Sequence, residues 1–270
     1  MKQYKKIGVF DSGLGGLTIL NKLIAHYPAH YLYLADTANL PYGNKTPQQI
    51  KQFSHQIVSF FAQQEIDLCV IACHTSSAIA YDFLCNSFVK LPFLGVVDSV
   101  VRTAAKITKN NKIGVIATTA SIRQHAHKNA LLSLNPRFEI VEQACPQLVP
   151  ALEQQERNHS HINSLLEHYL ESLKQNKVDT LILGCTHYAL VRTQIAHIMG
   201  PDVCIISAED TILSTLTTDE NNQPTVEFFV TSDKESFIEK SSAILDGLIV
   251  DVHEINLTMQ EESVPAHLII

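Results

Sequence analysis

Short, uninterrupted apolar runs recur along this chain at Ile7–Phe10, Tyr31–Leu34, Leu68–Ala72, Phe93–Val97, Ile113–Ala117, Thr180–Leu183 and Val203–Ile206, bounded by Gly, Asp, Ser or Thr. Such runs suit strands buried on both faces. Between them the apolar period changes. Ile50, Phe53, Ile57, Phe60 and Phe61, and later Ile162, Leu165, Leu166, Tyr169, Leu170 and Leu173, fall three and four apart, which makes one apolar face of a helix. Alternating strand and helix imply an α/β fold of parallel sheets covered by helices, with ligands bound outside the carboxyl ends of the strands.

The pattern also repeats itself. Lys6-Ile7-Gly8-Val9 returns as Lys112-Ile113-Gly114-Val115, 113 minus 7, or 106, positions later. Asp67-Leu68-Cys69-Val70-Ile71-Ala72-Cys73 is echoed by Asp179-Thr180-Leu181-Ile182-Leu183-Gly184-Cys185. Two echoes in the same order predict two related lobes. Each places a cysteine, Cys73 or Cys185, just past a strand and ahead of a helix. If the lobes face each other, a thiol stands on each wall of the cleft.

Composition sets the limits within which that cleft works. The 270 residues accommodate two lobes, and 46% hydrophobic against 17% charged residues suits buried cores and argues against disorder. The net charge is −7 with 20 scattered Lys and Arg, so no phosphate-tracking surface is visible and nucleic acid is not expected as a primary partner. Asp11 interrupts the apolar run after the basic Met1–Lys6, which argues against an export segment, and no later stretch is long enough to span a bilayer. A cytoplasmic protein with its six cysteines reduced is expected.

Moving the α-proton of an amino acid from one face of the carbon to the other needs two acid/base groups on opposite sides, one thiolate while the other is thiol. Cysteine suits this, because a strand-to-helix junction can lower its pKa from about 8.5 through the helix amino terminus or a nearby cation. His74, Thr75, Ser76 and Ser77 follow the first cysteine, and Thr186, His187 and Tyr188 the second. The threonines can cap helices or hold substrate carboxylates. His187 can relay a proton or tune its thiol. Asp11, at the end of the first strand, can orient an ammonium or assist the thiol of its own lobe. Gly13, Gly15 and Gly16 follow it without the full spacing of a dinucleotide turn, and read as a tight turn around a small ligand.

Several blocks together resemble the glutamate racemases: IGVFDSGLGGLTIL from Ile7, LADTANLPYGNKT from Leu34, IACHTSSA from Ile71, ACPQLVPALE from Ala144 and LILGCTHYALV from Leu181, with FFVTSDKESF from Phe228. The resemblance implies two pseudo-twofold α/β lobes, residues 1–97 completed by 208–270 and residues 98–207, with glutamate in the cleft and no metal or other cofactor. It implies a cytoplasmic role supplying D-glutamate for peptidoglycan, and a homodimer. Carried over by position, Cys73 and Cys185 match the catalytic bases acting on the D- and L-enantiomer respectively. Asp11 matches the acidic partner on the first side, and His187 with Glu153 the partners on the second. Ser12, Pro41-Tyr42-Gly43, Thr75, Thr118 and Thr186 match substrate-holding positions, and Ser121 keeps a hydroxyl where the family has Thr.

Departures from that pattern mark where this chain differs. The family's Cys-Asn-Thr is Cys73-His74-Thr75, so an imidazole replaces an amide expected to touch substrate. With an unperturbed pKa of about 6.5, His74 is expected to make that contact pH-dependent. Gly95-Val96-Val97-Asp98-Ser99 stands for Gly-Val-Ile-Glu-Pro, and Ala189 for the Pro after His-Tyr. Three alternatives stand beside this reading: a racemase of another acidic amino acid such as aspartate, a zinc site built from Cys73, His74, Cys185 and His187, and a non-catalytic binding relative.

Overall fold

The strands, in chain order, are β1 (Lys6–Asp11), β2 (His30–Ala35), β3 (Leu68–Ile71), β4 (Phe93–Gly95), β5 (Lys112–Ala117), β6 (Glu139–Ala144), β7 (Thr180–Gly184), β8 (Cys204–Ile206), β9 (Thr225–Val230) and β10 (Val252–Glu254). They come from a computed structural model that describes residues 4–153, 159–215, 223–242, 244–245 and 251–257. The part of the 208–270 stretch beyond residue 257 lies outside the described residues. The strands form two parallel sheets, ordered β10-β9-β2-β1-β3-β4 and β6-β5-β7-β8. Helices between successive strands make the connections that parallel pairing requires.

The second sheet repeats the middle of the first. β2-β1-β3-β4 and β6-β5-β7-β8 have the same order, and the register agrees, with Ile7 opposite Leu68 in one sheet and Ile113 opposite Thr180 in the other. The repeated aspartates explain part of this. Asp67 Oδ2 accepts from the backbone N–H of Lys5 and Lys6, and Asp179 Oδ2 from those of Lys109 and Asn110. Each carboxylate ties down the chain entering the neighbouring first strand. Asp179 is held below the usual carboxylate range, burial being outweighed by these donors and the Thr108 and Thr180 hydroxyls.

Phe93–Val97 departs from its expected form: the strand stops at Gly95 and a helix, Val96–Ile107, begins at once. Its Val96, Val100, Val101 and Ala104 are buried in one apolar cluster with Val9 and Val70 of the first sheet and Val115 and Ile182 of the second. At about 1.5–3 kcal/mol for each fully buried aliphatic side chain of valine size or larger, that shared core holds the two sheets together. The helix Pro47–Gln63 starts at a reciprocal capping box between Thr46 and Gln49, with proline in its first turn. The helix His159–Gln175 buries Ile162, Leu165, Leu166, Tyr169, Leu170 and Leu173, the predicted face.

β6, β9 and β10 were not among the apolar runs. β6 is an edge strand, EIVEQA, exposed or half-buried along its length, and β9 buries only its last three residues. Strands with an open side need no continuous apolar run.

Candidate active site

The carboxyl ends of β1, β3, β5 and β7 converge on a cleft of about 480 Å³, a volume that includes open solvent, walled by Ser12, Cys73, His74 and Thr75 on one side and Thr118, Cys145, Cys185, Thr186 and His187 on the other. Pro41, Tyr42 and Gly43 also line it. The facing arrangement that the echo required is therefore present, and both thiols reach one cleft. Cys73 is 4% and Cys185 8% exposed, so any charge on either sulfur sits in a poorly hydrated environment.

The two walls differ electrostatically. Cys73 caps the helix His74–Ile79, and its Sγ lies 4.0 Å from Ser12 Oγ. Burial and the nearby Asp11 push its thiol up to about 12, against a Ser76 backbone N–H that favours the anion. The expected lowering by the helix terminus is thus outweighed by desolvation. Asp11 is itself raised by complete burial, opposed by His187, the Gly13 N–H and Thr186. It receives the Gly13 N–H at 3.1 Å and, from the other wall, the Thr186 hydroxyl at 3.3 Å. Asp11 does not line the cavity; it ties the walls together behind it.

Cys185 follows β7 in extended backbone and precedes a short 3-10 segment, Thr186–Val191, rather than an α-helix. Its Sγ lies 3.9 Å from His187 Nδ1, and His187 Nε2 is 2.5 Å from Glu153 Oε1. Burial works against protonation of His187, but the bonds to Cys185 and Glu153 win and hold it well above an ordinary histidine. Glu153 is held low by His187 and Lys240 despite its burial. Both partners of this ring thus favour its protonated form, in a buried position beside the sulfur.

Hydroxyls bridge the walls near the cavity. Thr118 Oγ1 donates to Ser121 Oγ, Ser121 Oγ to Thr75 Oγ1, and Thr75 and Thr118 meet at 3.0 Å. Thr118 also accepts the Ser121 N–H as a helix cap, so capping and cleft-lining coincide. The Pro41–Gly43 loop is anchored by Asp36, which receives the Tyr42 hydroxyl at 2.5 Å together with Asn39 and Thr231. A side chain at Gly43 would press on Thr118 Cβ at 3.0 Å.

Three readings are corrected. The glycine turn after Asp11 closes on protein rather than on ligand: a Cβ at Gly15 would overlap Thr186 Oγ1 and come within 2.8 Å of His187 N, and one at Gly16 would lie 2.8 Å from the Tyr33 hydroxyl. His74 is not poised to titrate near neutrality. Complete burial and the adjacent His127 push it well below its ordinary value. The alternative zinc quartet also separates, with His187 bonded to Glu153 and His74 to His127, and no metal-holding group of three His, Cys, Asp or Glu occurs among the described residues.

Sequence reasoning missed Asp36, His127, Lys240 and Cys145. Asp36 stands just past β2, next to the residue that pairs with Asp11 at the end of β1, a signal available in the sequence. The others act through contacts between segments distant in the chain, Lys240 reaching Glu153 at 3.9 Å.

A cleft between two parallel-sheet units, with titratable side chains on both walls, is the arrangement of an enzyme that acts on a small molecule. Residues 8–210 match the Asp/Glu/hydantoin racemase family. A glutamate racemase of Geobacter metallireducens is 36% identical over 96% of this chain and 99% of its own, and one of Lysinibacillus sphaericus 36% identical over 93% and 98%. Among solved structures, a glutamate racemase isoform of Bacillus anthracis superposes with a TM-score of 0.88 at 30% identity, covering 95% of this chain and 99% of that one. The Francisella tularensis glutamate racemase in complex with D-glutamate gives 0.86 at 30% identity, covering 94% and 98%. The chain belongs to the Asp/Glu/hydantoin racemase family, and it is an isomerase.

Proposed function

We propose that this protein is a glutamate racemase that interconverts L- and D-glutamate by proton transfer between Cys73 and Cys185 without a cofactor, supplying D-glutamate for peptidoglycan in the cytoplasm. The observation that carries the mechanism is the pair of thiols, from equivalent ends of β3 and β7, lining one cleft. The curated relatives named for glutamate support the substrate.

For L-glutamate, Cys185 acts as the base. Its sulfur takes the α-proton as the Cα–H bond breaks, while the His187 cation stabilises the sulfur anion beforehand. Cys73, which holds its proton at neutral pH, delivers it to the opposite face of the carbon, and D-glutamate results. The reverse direction exchanges the roles. Glu153 and Asp11 are positioning residues on this reading, Glu153 through His187 and Asp11 through Thr186 and the Gly13 turn. Ser12, Thr75, Thr118, Ser121, Thr186, His74 and the Pro41–Gly43 loop supply the polar wall that holds the substrate. Residues 1–97 with 208–270 form one lobe and 98–207 the other, and a homodimer is part of the proposal.

Incubating the protein with each enantiomer of glutamate and of aspartate in deuterated water tests activity and substrate together. Deuterium should enter both glutamates, with racemisation, far faster than either aspartate. Faster exchange of aspartate would replace the substrate, since one methylene separates the two. No exchange of either would leave a non-catalytic binding relative.

A further inference from the structure

His74 and His127 are a second pair of titratable groups at the cleft, and the mechanism above does not use His127. His74 opens the helix after β3, and His127 lies on the helix Ala126–Leu134 after β5. The two rings stack with centroids 5.4 Å apart, and His74 Nδ1 lies 3.2 Å from His127 Nε2. Only 2% and 1% of these residues are exposed. His127 also packs close to Gly184, where a Cβ would meet Ala117 Cβ at 2.8 Å and Ile116 O at 2.9 Å and lie 3.3 Å from His127 Cε1. The outer nitrogens, His74 Nε2 and His127 Nδ1, are buried without a protein partner. His74 lines the cavity and His127 does not.

Burial pushes both rings down, His127 to about 4 and His74 further aided by His127, so both are neutral at pH 7. A neutral imidazole has one N–H and one lone pair, and the shared bond uses one of each. Two arrangements remain. If His74 donates, His127 is left with a buried N–H on Nδ1 that no protein group accepts, and His74 Nε2 keeps only a lone pair. If His127 donates, the free N–H is on His74, the residue of the pair that lines the cavity, and once a substrate carboxylate accepts it only a lone pair is stranded on His127. A carboxylate accepts and cannot donate, and an orphaned buried N–H is the costlier defect.

We propose that His127 is a positioning residue for substrate recognition: its Nε2–H donates to His74 Nδ1 and fixes the tautomer in which His74 Nε2–H binds a substrate carboxylate. A two-histidine relay thus supplies a donor where the family pattern has an amide. The proposal rests on the glutamate racemase reading for its ligand, but its tautomer is measurable without substrate.

Long-range nitrogen–proton correlation spectra of the ¹⁵N-labelled full-length protein, assigned with His74→Asn and His127→Gln, read which ring nitrogens carry protons. The expected result is a protonated Nε2 and a bare Nδ1 on both rings, with the His74 Nε2–H signal shifting when D-glutamate is added. A proton on His74 Nδ1 and on His127 Nδ1, or a charged ring, would overturn the relay. In kinetics, His127→Leu should raise KM for both enantiomers about tenfold, the loss of one hydrogen bond to a charged group, with kcat little changed. His127→Gln, which can still donate to His74 Nδ1, should return KM close to wild type. An unchanged KM in His127→Leu, or no rescue by Gln in a folded variant, would refute the positioning role. A wild type inert toward glutamate would overturn the racemase reading alone, because the substrate-free spectrum still decides the tautomer.

Discussion

Replacing Glu153 by Gln keeps the shape of the Cys185 wall while removing its negative charge. Glu153 Oε1 is 2.5 Å from His187 Nε2, with the two side chains 14% and 3% exposed. Burial by itself lowers His187, so the raised value depends on Cys185 and Glu153 together. The variant loses about 1.5–3 kcal/mol of charge-assisted bonding, which at about 1.4 kcal/mol per decade is a fall in kcat/KM of roughly tenfold to a hundredfold at mildly alkaline pH. The alkaline limb of the rate profile should move toward lower pH, because His187 then gives up its proton sooner. Stability follows the same sign. A raised histidine contributes stability that is fully present below its unfolded value and is lost as pH rises through the folded value. The thermal midpoint of wild type should therefore decline on the alkaline side, and Glu153→Gln should show less of that dependence. Racemisation followed by circular dichroism across pH, from each enantiomer, measures this. Enantiomers have equal free energy, so the two kcat/KM values must fall by the same factor. An alkaline limb coincident with wild type would refute the assignment of His187 and Glu153 as the pair that supports Cys185.

Changing either thiol should abolish racemisation while leaving half of the exchange chemistry: Cys73→Ala should still exchange the α-proton of L-glutamate with deuterated solvent, and Cys185→Ala that of D-glutamate. Near-normal turnover by either would exclude the two-thiol mechanism. Gly15→Ala forces a Cβ to within 2.8 Å of His187 N, and overpacking of this kind costs about 1–3 kcal/mol. A lowered thermal midpoint and kcat down more than about tenfold are expected, whereas a wild-type kcat would show that this approach does not position the catalytic wall. Activity should survive a chelator, since the acid–base groups assigned above need no ion. Loss of activity on chelation with recovery on adding zinc would reverse that assignment.

The α/β class was legible because buried parallel strands need continuous apolar runs, and the paired thiols were legible because the two sheets repeat each other down to register. Asp67 and Asp179 carried that signal through a structural role, each receiving the backbone amides that enter the neighbouring strand. What escaped was of two kinds. β6 and β9 have exposed positions and so lack the run that flags a buried strand. His127 and Lys240 matter only through partners, His74 and Glu153, that lie far away in sequence. The glycine turn shows a third limit: the need for a close approach was readable, but whether ligand or protein would make it was not.

The inequality of the walls bears on how such an enzyme can work in both directions. Cys73 is pushed up to about 12 by burial and Asp11, while on the other wall Cys185 Sγ lies 3.9 Å from His187, a ring held well above an ordinary histidine. On the proposed two-thiol mechanism, L-glutamate is taken by the form with its charge on Cys185. On the same proposal D-glutamate is taken by the form with its charge on Cys73, which burial and Asp11 disfavour, so the apparent affinity for D-glutamate is reduced by that form's population. Equal free energies of the enantiomers nevertheless require equal kcat/KM in the two directions. The requirement is met because the charge is rare on Cys73 for the same reason that it is reactive there: a thiolate in a dry, anionic setting is the stronger base toward carbon. An environment that disfavours the D-competent form thus raises its rate once formed, and the chemical asymmetry shows in KM and kcat separately rather than in their ratio.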